Sequence, residues 1–112
     1  NNKHKKNKTI KQKKTIIIKK KGFVDNVNAL SSRIRFSTAI AYDSQGNLFF
    51  CDTLNDLIRR IDKNTNQITI VVGNLTTGIP TRGYNGDNRP ALGAMLNIPS
   101  AIAFDSQDNI WI

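Results

Sequence analysis

Glutamate is absent from the 112 residues, cysteine, methionine and tryptophan occur once each, and histidine occurs only as His4. Each shortage closes a route. A structural zinc site needs about four nitrogen, sulfur or oxygen ligands in close array, and Cys51 with His4 does not make one. A calcium loop of the EF-hand type needs several carboxylates and a distal Glu. One cysteine permits no intrachain disulfide framework and leans toward a reducing, cytoplasmic compartment. On an inner strand, Cys51 reads as a buried inert thiol rather than a nucleophile. Gly83–Asp87 carries a glycine but neither P-loop spacing nor a helix after it, so it reads as an ordinary connection. The longest apolar run near the N-terminus is Ile16–Ile18. It is far below the roughly 20 residues a helical membrane span needs, and no signal-peptide core follows the lysines. No catalytic, cofactor or metal residue is assigned.

Charge is uneven. Of 17 basic residues, ten are lysines within residues 1–21, a stretch without an acid. The remaining seven face all eight aspartates, so the body carries −1 and the net charge of +9 belongs to the tail. A lysine run can bind nucleic acid through counterion release. This one has no aromatic for base stacking and no Arg for bidentate readout. A solvated, disordered low-complexity run, enriched by the same bias that favours Asn and Ile, accounts for it as well.

What the chain does contain is itself, twice. Ala39–Phe50 and Ala101–Ile112 share seven of twelve residues at an offset of 62, and 25–50 against 87–112 share 11 of 26. Each copy begins with a small apolar run closed by a polar turn, Asp43-Ser-Gln-Gly-Asn47 or Asp105-Ser-Gln-Asp-Asn109. The Asp, Ser, Asn and Gly of such turns bond their own backbone or accept positive φ. Either turn faintly resembles a cation loop, but the missing Glu leaves the Asx-bonded hairpin as the better reading. Leu48–Asp52 follows as a buried strand. Leu57–Asp62, part apolar and part charged, is expected nearer the sheet edge, and Ile68–Val72 is β-branched up to Gly73. Four short strands on short turns make an antiparallel meander, and one meander per repeat is a propeller blade. Asn55–Ile61 is too short and too closely bracketed for a helix. Pro90–Asn97 is expected to form at most a helical turn.

These residues resemble the NHL-repeat family of β-propellers. Ile98-Pro-Ser-Ala-Ile-Ala-Phe-Asp105 is similar to that family's strand-one opening. Asp52-Thr-Leu-Asn-Asp-Leu-Ile-Arg-Arg-Ile-Asp62 is similar to its middle, and Ile68-Thr-Ile-Val-Val-Gly-Asn74 to its ending. Asp56 stands where the namesake triplet has histidine, and Ser37-Thr38 where Pro is usual. The resemblance implies an all-β fold: a partial β-propeller of four-stranded antiparallel meander blades, about one and a half of them. The expected layout is a basic disordered tail over 1–14 and propeller over 15–112. Within the latter, the last strand of one blade lies at 15–20 and a complete blade at about 37–73. An inter-blade loop covers 74–98, and the first two strands of the next blade cover 99–112. So few repeats are not expected to stand alone. The first residue is Asn1, and the rest of the propeller is expected elsewhere in a longer chain.

Three functions follow. The first is a binding or interaction scaffold contacting a protein partner, by fold analogy. The second is nucleic-acid binding through a basic face or the lysine tail, with Arg59, Arg60, Lys19, Lys20 and Lys21 as candidate binding residues. Asp52, Asp56 and Asp62 lie beside the arginines, so local ion pairing is the competing reading. The third is part of a metal-dependent propeller enzyme whose catalytic residues lie in other blades.

Overall fold

The computed structural model describes Ile18 and residues 21–112. The tail over 1–14, most of the strand expected at 15–20, and Lys19 and Lys20 lie outside the described residues. Among the latter the chain is all-β, a partial β-propeller whose main sheet is one blade. Strands β2 (Ser37–Tyr42), β3 (Leu48–Asp52), β4 (Leu57–Ile61) and β5 (Gln67–Val72) run up and down in sequence order. β1 (Val27–Asn28) adds antiparallel to the outside of β5, giving the order β1-β5-β4-β3-β2.

Turn chemistry sets the register. Asp43 Oδ1 accepts the amides of Gln45 and Asn47, Oδ2 accepts the Asn47 side chain, and Gly46 supplies a φ of 86°. These bonds align Tyr42 with Leu48. Between β4 and β5 the Asp62 carboxylate accepts the amides of Asn64 and Thr65. Asn47 Oδ1 accepts the Lys63 amide and ties the two turns together.

Each face of the blade is covered by a different segment. Ala29, Phe50, Ile61 and Ile68 form one cluster, closed by Val27, Ile34, Leu48 and Ile18. Cys51, Ile58 and Val72 form the other, closed by Ala39, Val71, Leu96 and Ile102. Strand side chains alternate between faces, so Phe50 and Cys51 part company. Ile68 and Val72 would share a face by that rule. The register shift between Ile58 and Arg59 inserts one extra residue in β5 and turns Val72 to the other side. Full burial of side chains of this size stabilises by about 1.5–3 kcal/mol each, so both coverings matter.

β6 (Leu75–Thr76) and β7 (Ile79–Pro80) form a small hairpin in the connection, and β8 (Ala103–Phe104) and β9 (Ile110–Trp111) open a second sheet. β8 and β9 pair Ala103 with Trp111 and Phe104 with Ile110, the register of Ala41 with Phe49 and Tyr42 with Leu48 carried forward by 62 residues. The backbone repeats with the sequence. Non-glycine positive φ occurs at Asn26 and Asn88 and at Phe36 and Ile98, and Gly46 is answered by Asp108. Gly22 N–H bonds Ile34 O as Gly83 N–H bonds Leu96 O. A similar strap, 22–36 and then 83–98, thus precedes each sheet. The two sheets meet edge to face at Phe49 and Phe104, centroids 4.7 Å apart at 70°. Ser44 also donates its amide and hydroxyl to the Asp108 carboxylate.

One expectation needs correction. β4 lies between β3 and β5 rather than near an edge, because its charge at Arg59 is neutralised in place. Pro90–Asn97 makes turns and isolated bridges, within the helical turn expected at most. Short 3-10 turns lie at Ala29–Ser31 and Thr53–Asn55.

Candidate functional site

The two ends of the blade differ in chemistry. At the end formed by residues 43–47, 62–66 and 105–109, the aspartate side chains are spent within that end: Asp43, Asp62 and Asp105 on their own turns, and Asp108 on Ser44 of the neighbouring one. Asp105 repeats Asp43: it accepts the Gln107 and Asn109 amides and the Asn109 side chain, and adds the Trp111 indole N–H. Hydrogen bonds from Asn109, then from Trp111 and Gln107, hold its carboxyl down to about 2, from 3.8. Burial pushes Asp43 up, but bonds from Asn47 and Gln45 outweigh it and leave Asp43 lowered. The Thr65 and Asn64 amides lower Asp62. A depressed carboxylate gives stability that is present above its unfolded value and lost as pH falls through the folded one. The 105–109 turn should therefore hold at pH 3.8 and open only as pH approaches 2. The Gln107 and Asn109 amide shifts in an NMR pH titration read this directly. A midpoint at the ordinary carboxylate value would contradict the bonding.

At the opposite end the long connections gather over a buried ionic cluster. Arg59 of β4 is fully buried beneath the 22–36 strap. Its guanidinium donates to Arg33 O at 2.7 Å, to Ser32 Oγ and Asp52 Oδ2 at 3.0 Å each, to Asp25 Oδ1 at 3.2 Å, and to Val24 O. The Phe23 ring lies 5.1 Å from the guanidinium carbon, within cation–π range. Asp52, also fully buried, accepts the Arg35 amide and the Asn55 side chain besides Arg59. Burial pushes its carboxyl above the ordinary value against these bonds. Asn55 also donates to Gly22 O. Arg59 of β4, Asp52 of β3 and Asn55 of the turn between them thus hold the strap down.

Beyond the cluster, the Thr53–Asn55 turn ends at Asp56 in the left-handed region. Its carboxylate accepts Arg82 Nε at 3.0 and 3.1 Å and the Ile98 amide at 2.7 Å. It is the anchor of the 73–98 connection. Asp56→Ala should destabilise the protein by about 2 kcal/mol, from the lost buried acceptor and the loss of a residue that tolerates positive φ. Asp56→Asn, which keeps an acceptor and the tolerance, should lose less than half of that. Denaturant midpoints of the two variants check the order, and equal losses would point to the Arg82 charge alone.

Between strap, turn and connection lies an open cleft of about 520 Å³, lined by Gly22, Phe23, Arg35, Leu54, Asn55, Asp56, Gly78, Ile79, Pro80 and Arg82. The sequence pointed to Arg59 and Arg60 as a basic face or to the lysine run with Lys19, Lys20 and Lys21; Lys19 and Lys20 lie outside the described residues, and the structure sets Arg59, Arg60 and Lys21 apart. Arg59 has no exposed surface. Arg60 pairs with Asp62 at 3.0 Å near the turn end. Lys21 is exposed at the start of the strap, bridged to Ile34. The cleft residues Phe23, Arg35, Leu54 and Arg82 were missed, because nothing local marks them. They meet only when strap, turn and connection converge. Cys51 is buried, and burial raises its thiol. Among the described residues no three His, Cys, Asp or Glu side chains group as a metal site, and no helix is long and apolar enough to cross a membrane.

No family model matches the chain. No curated protein matches it. Among solved structures it is similar to an auxiliary nutrient binding protein from Bacteroides thetaiotaomicron, at a TM-score of 0.55 and 26% identity. The match covers 78% of this chain and 22% of that one, so the chain spans about a fifth of its relative's length.

Proposed function

We propose that the chain is an NHL-type propeller segment of a larger binding scaffold, engaging a protein partner at the cleft end of the blade. The observation that carries this is the contrast between the ends. One end spends its aspartates on donors of its own turns and strands. The other presents an open cleft with exposed apolar side chains, Leu54 and Ile79, beside arginines. Loops placed on a rigid scaffold are where binding groups concentrate. The solved relative is a nutrient binding protein, which supports a binding role in general terms. Titrating a panel of short peptides of varied charge into the isotope-labelled protein tests the reading. Amide shifts should cluster at residues 22–23, 35, 54–56 and 78–82. Shifts gathered at 43–47 and 62–66 instead would overturn it.

A further inference from the structure

Of the cations among the described residues lining the cleft, one is committed and one is not. Arg82 is paired with Asp56, the one lining carboxylate. The Arg35 side chain is exposed and makes no hydrogen bond, ion pair or ring contact with any described residue. Its backbone is nevertheless fixed, because its N–H is held by Asp52 at 2.7 Å and its carbonyl accepts the Leu54 amide at 3.0 Å. A guanidinium on a pinned backbone is a ready anion contact, and its fork matches a carboxylate in two-point geometry. Around it the walls are apolar: Phe23, Leu54 at 39% exposure, Ile79 at 65% and Pro80.

We infer that the cleft takes a peptide segment that presents a carboxylate beside an apolar side chain, the carboxylate on Arg35 and the apolar group against Leu54 and Ile79. This rests on the cleft being the binding end. A bare inorganic anion would fill little of the volume and leave Ile79 wet, and an exposed ion pair alone contributes little. A nucleic-acid strand would need a row of free cations, whereas among the described lining residues one guanidinium is free and a carboxylate stands beside it.

N-acetylphenylalanine is the probe, with its C-terminal amide as the uncharged control, followed by NMR titration of the full chain. The acid should shift Gly22, Arg35, Asn55 and Ile79, and bind about tenfold more tightly than the amide, as a charge-assisted two-point contact implies. Arg35→Gln should erase that preference while leaving spectral dispersion intact, since the Arg35 backbone bonds remain. Arg35→Lys should retain part of it. Equal binding of acid and amide, or an unchanged preference in Arg35→Gln, would overturn the anion contact while leaving the cleft as the binding end. Silence with both probes would overturn the inference, and the peptide panel would then judge the cleft separately. Shifts confined to the 43–47 and 62–66 turns would overturn both.

Discussion

Replacing Gly73 with valine should destabilise the protein by about 3–5 kcal/mol, more than any other single change at a turn. Gly73 closes β5 with a φ of 136°, a conformation that L side chains rarely adopt. A Cβ there would lie 2.3 Å from Leu57 Cδ2 and 3.3 Å from Asp56 O. Leu57 is fully buried, so it cannot swing away, and the obstacle on the other side is backbone. Gly73 also binds the connection on both sides: its N–H bonds Ala91 O and its carbonyl accepts the Gly93 amide. Gly78 is the control. Its φ of 78° is also positive, but nothing lies within 4 Å of its missing Cβ. Gly78→Ala should cost only the conformational part, about 1 kcal/mol. Equal losses in denaturant midpoint at the two sites would show that strain alone, not the Leu57 contact, decides the matter.

Removing the Arg59 guanidinium is the second large effect. Arg59→Met should lose about 3–5 kcal/mol, because Asp52 then keeps a buried charge without its cation. Arg33 O and Val24 O lose the guanidinium donor in the same step, and Val24 O keeps the Ser32 hydroxyl. The loss is local in kind. Amides of the 22–36 strap should lose hydrogen-exchange protection before those of the β3–β4 ladder. Adding Asp52→Asn to Arg59→Met should restore part of the stability, since no charge is then stranded, and that non-additivity identifies the pair as the cause. If the double variant is no more stable than Arg59→Met alone, the carboxylate at Asp52 is not what the guanidinium answers. Arg59→Lys should behave nearly as badly as Arg59→Met, because one ammonium with three donors cannot serve the five acceptors the guanidinium reaches.

Much of the fold could be read from local signals. The Asp-Ser-Gln-x-Asn turns announce themselves by residue type, and the structure shows Asp43 with Asn47 and Asp105 with Asn109 closing them. The repeat at 62 residues is visible in the letters and returns in strand register and positive φ alike. β4 was harder. A strand carrying Arg59 and Arg60 looks like an edge, and it is Asp52 together with the distant Asp25 and the strap carbonyls that lets Arg59 turn inward. The site was harder still. Arg59 drew notice for its charge and is spent inside, whereas Arg35 and Phe23 sit in a strap with no periodic pattern. Their meeting with Leu54 and Ile79 depends on contacts between segments tens of residues apart. Asp56 illustrates both halves. Its departure from the resembling triplet is plain in the sequence, but its work as anchor of Arg82 and Ile98 is not.

The packing of the two repeats as neighbouring sheets is tested most directly by nuclear Overhauser contacts between selectively labelled Phe49 and Phe104 rings, with centroids 4.7 Å apart. A strong ring-to-ring cross-peak, together with one from the Ser44 amide to the Asp108 side chain, is the expected result. A folded sample in which Phe104 instead contacts β5, or in which the 39–50 and 101–112 stretches give helical contacts, would contradict the blade architecture and every inference built on it.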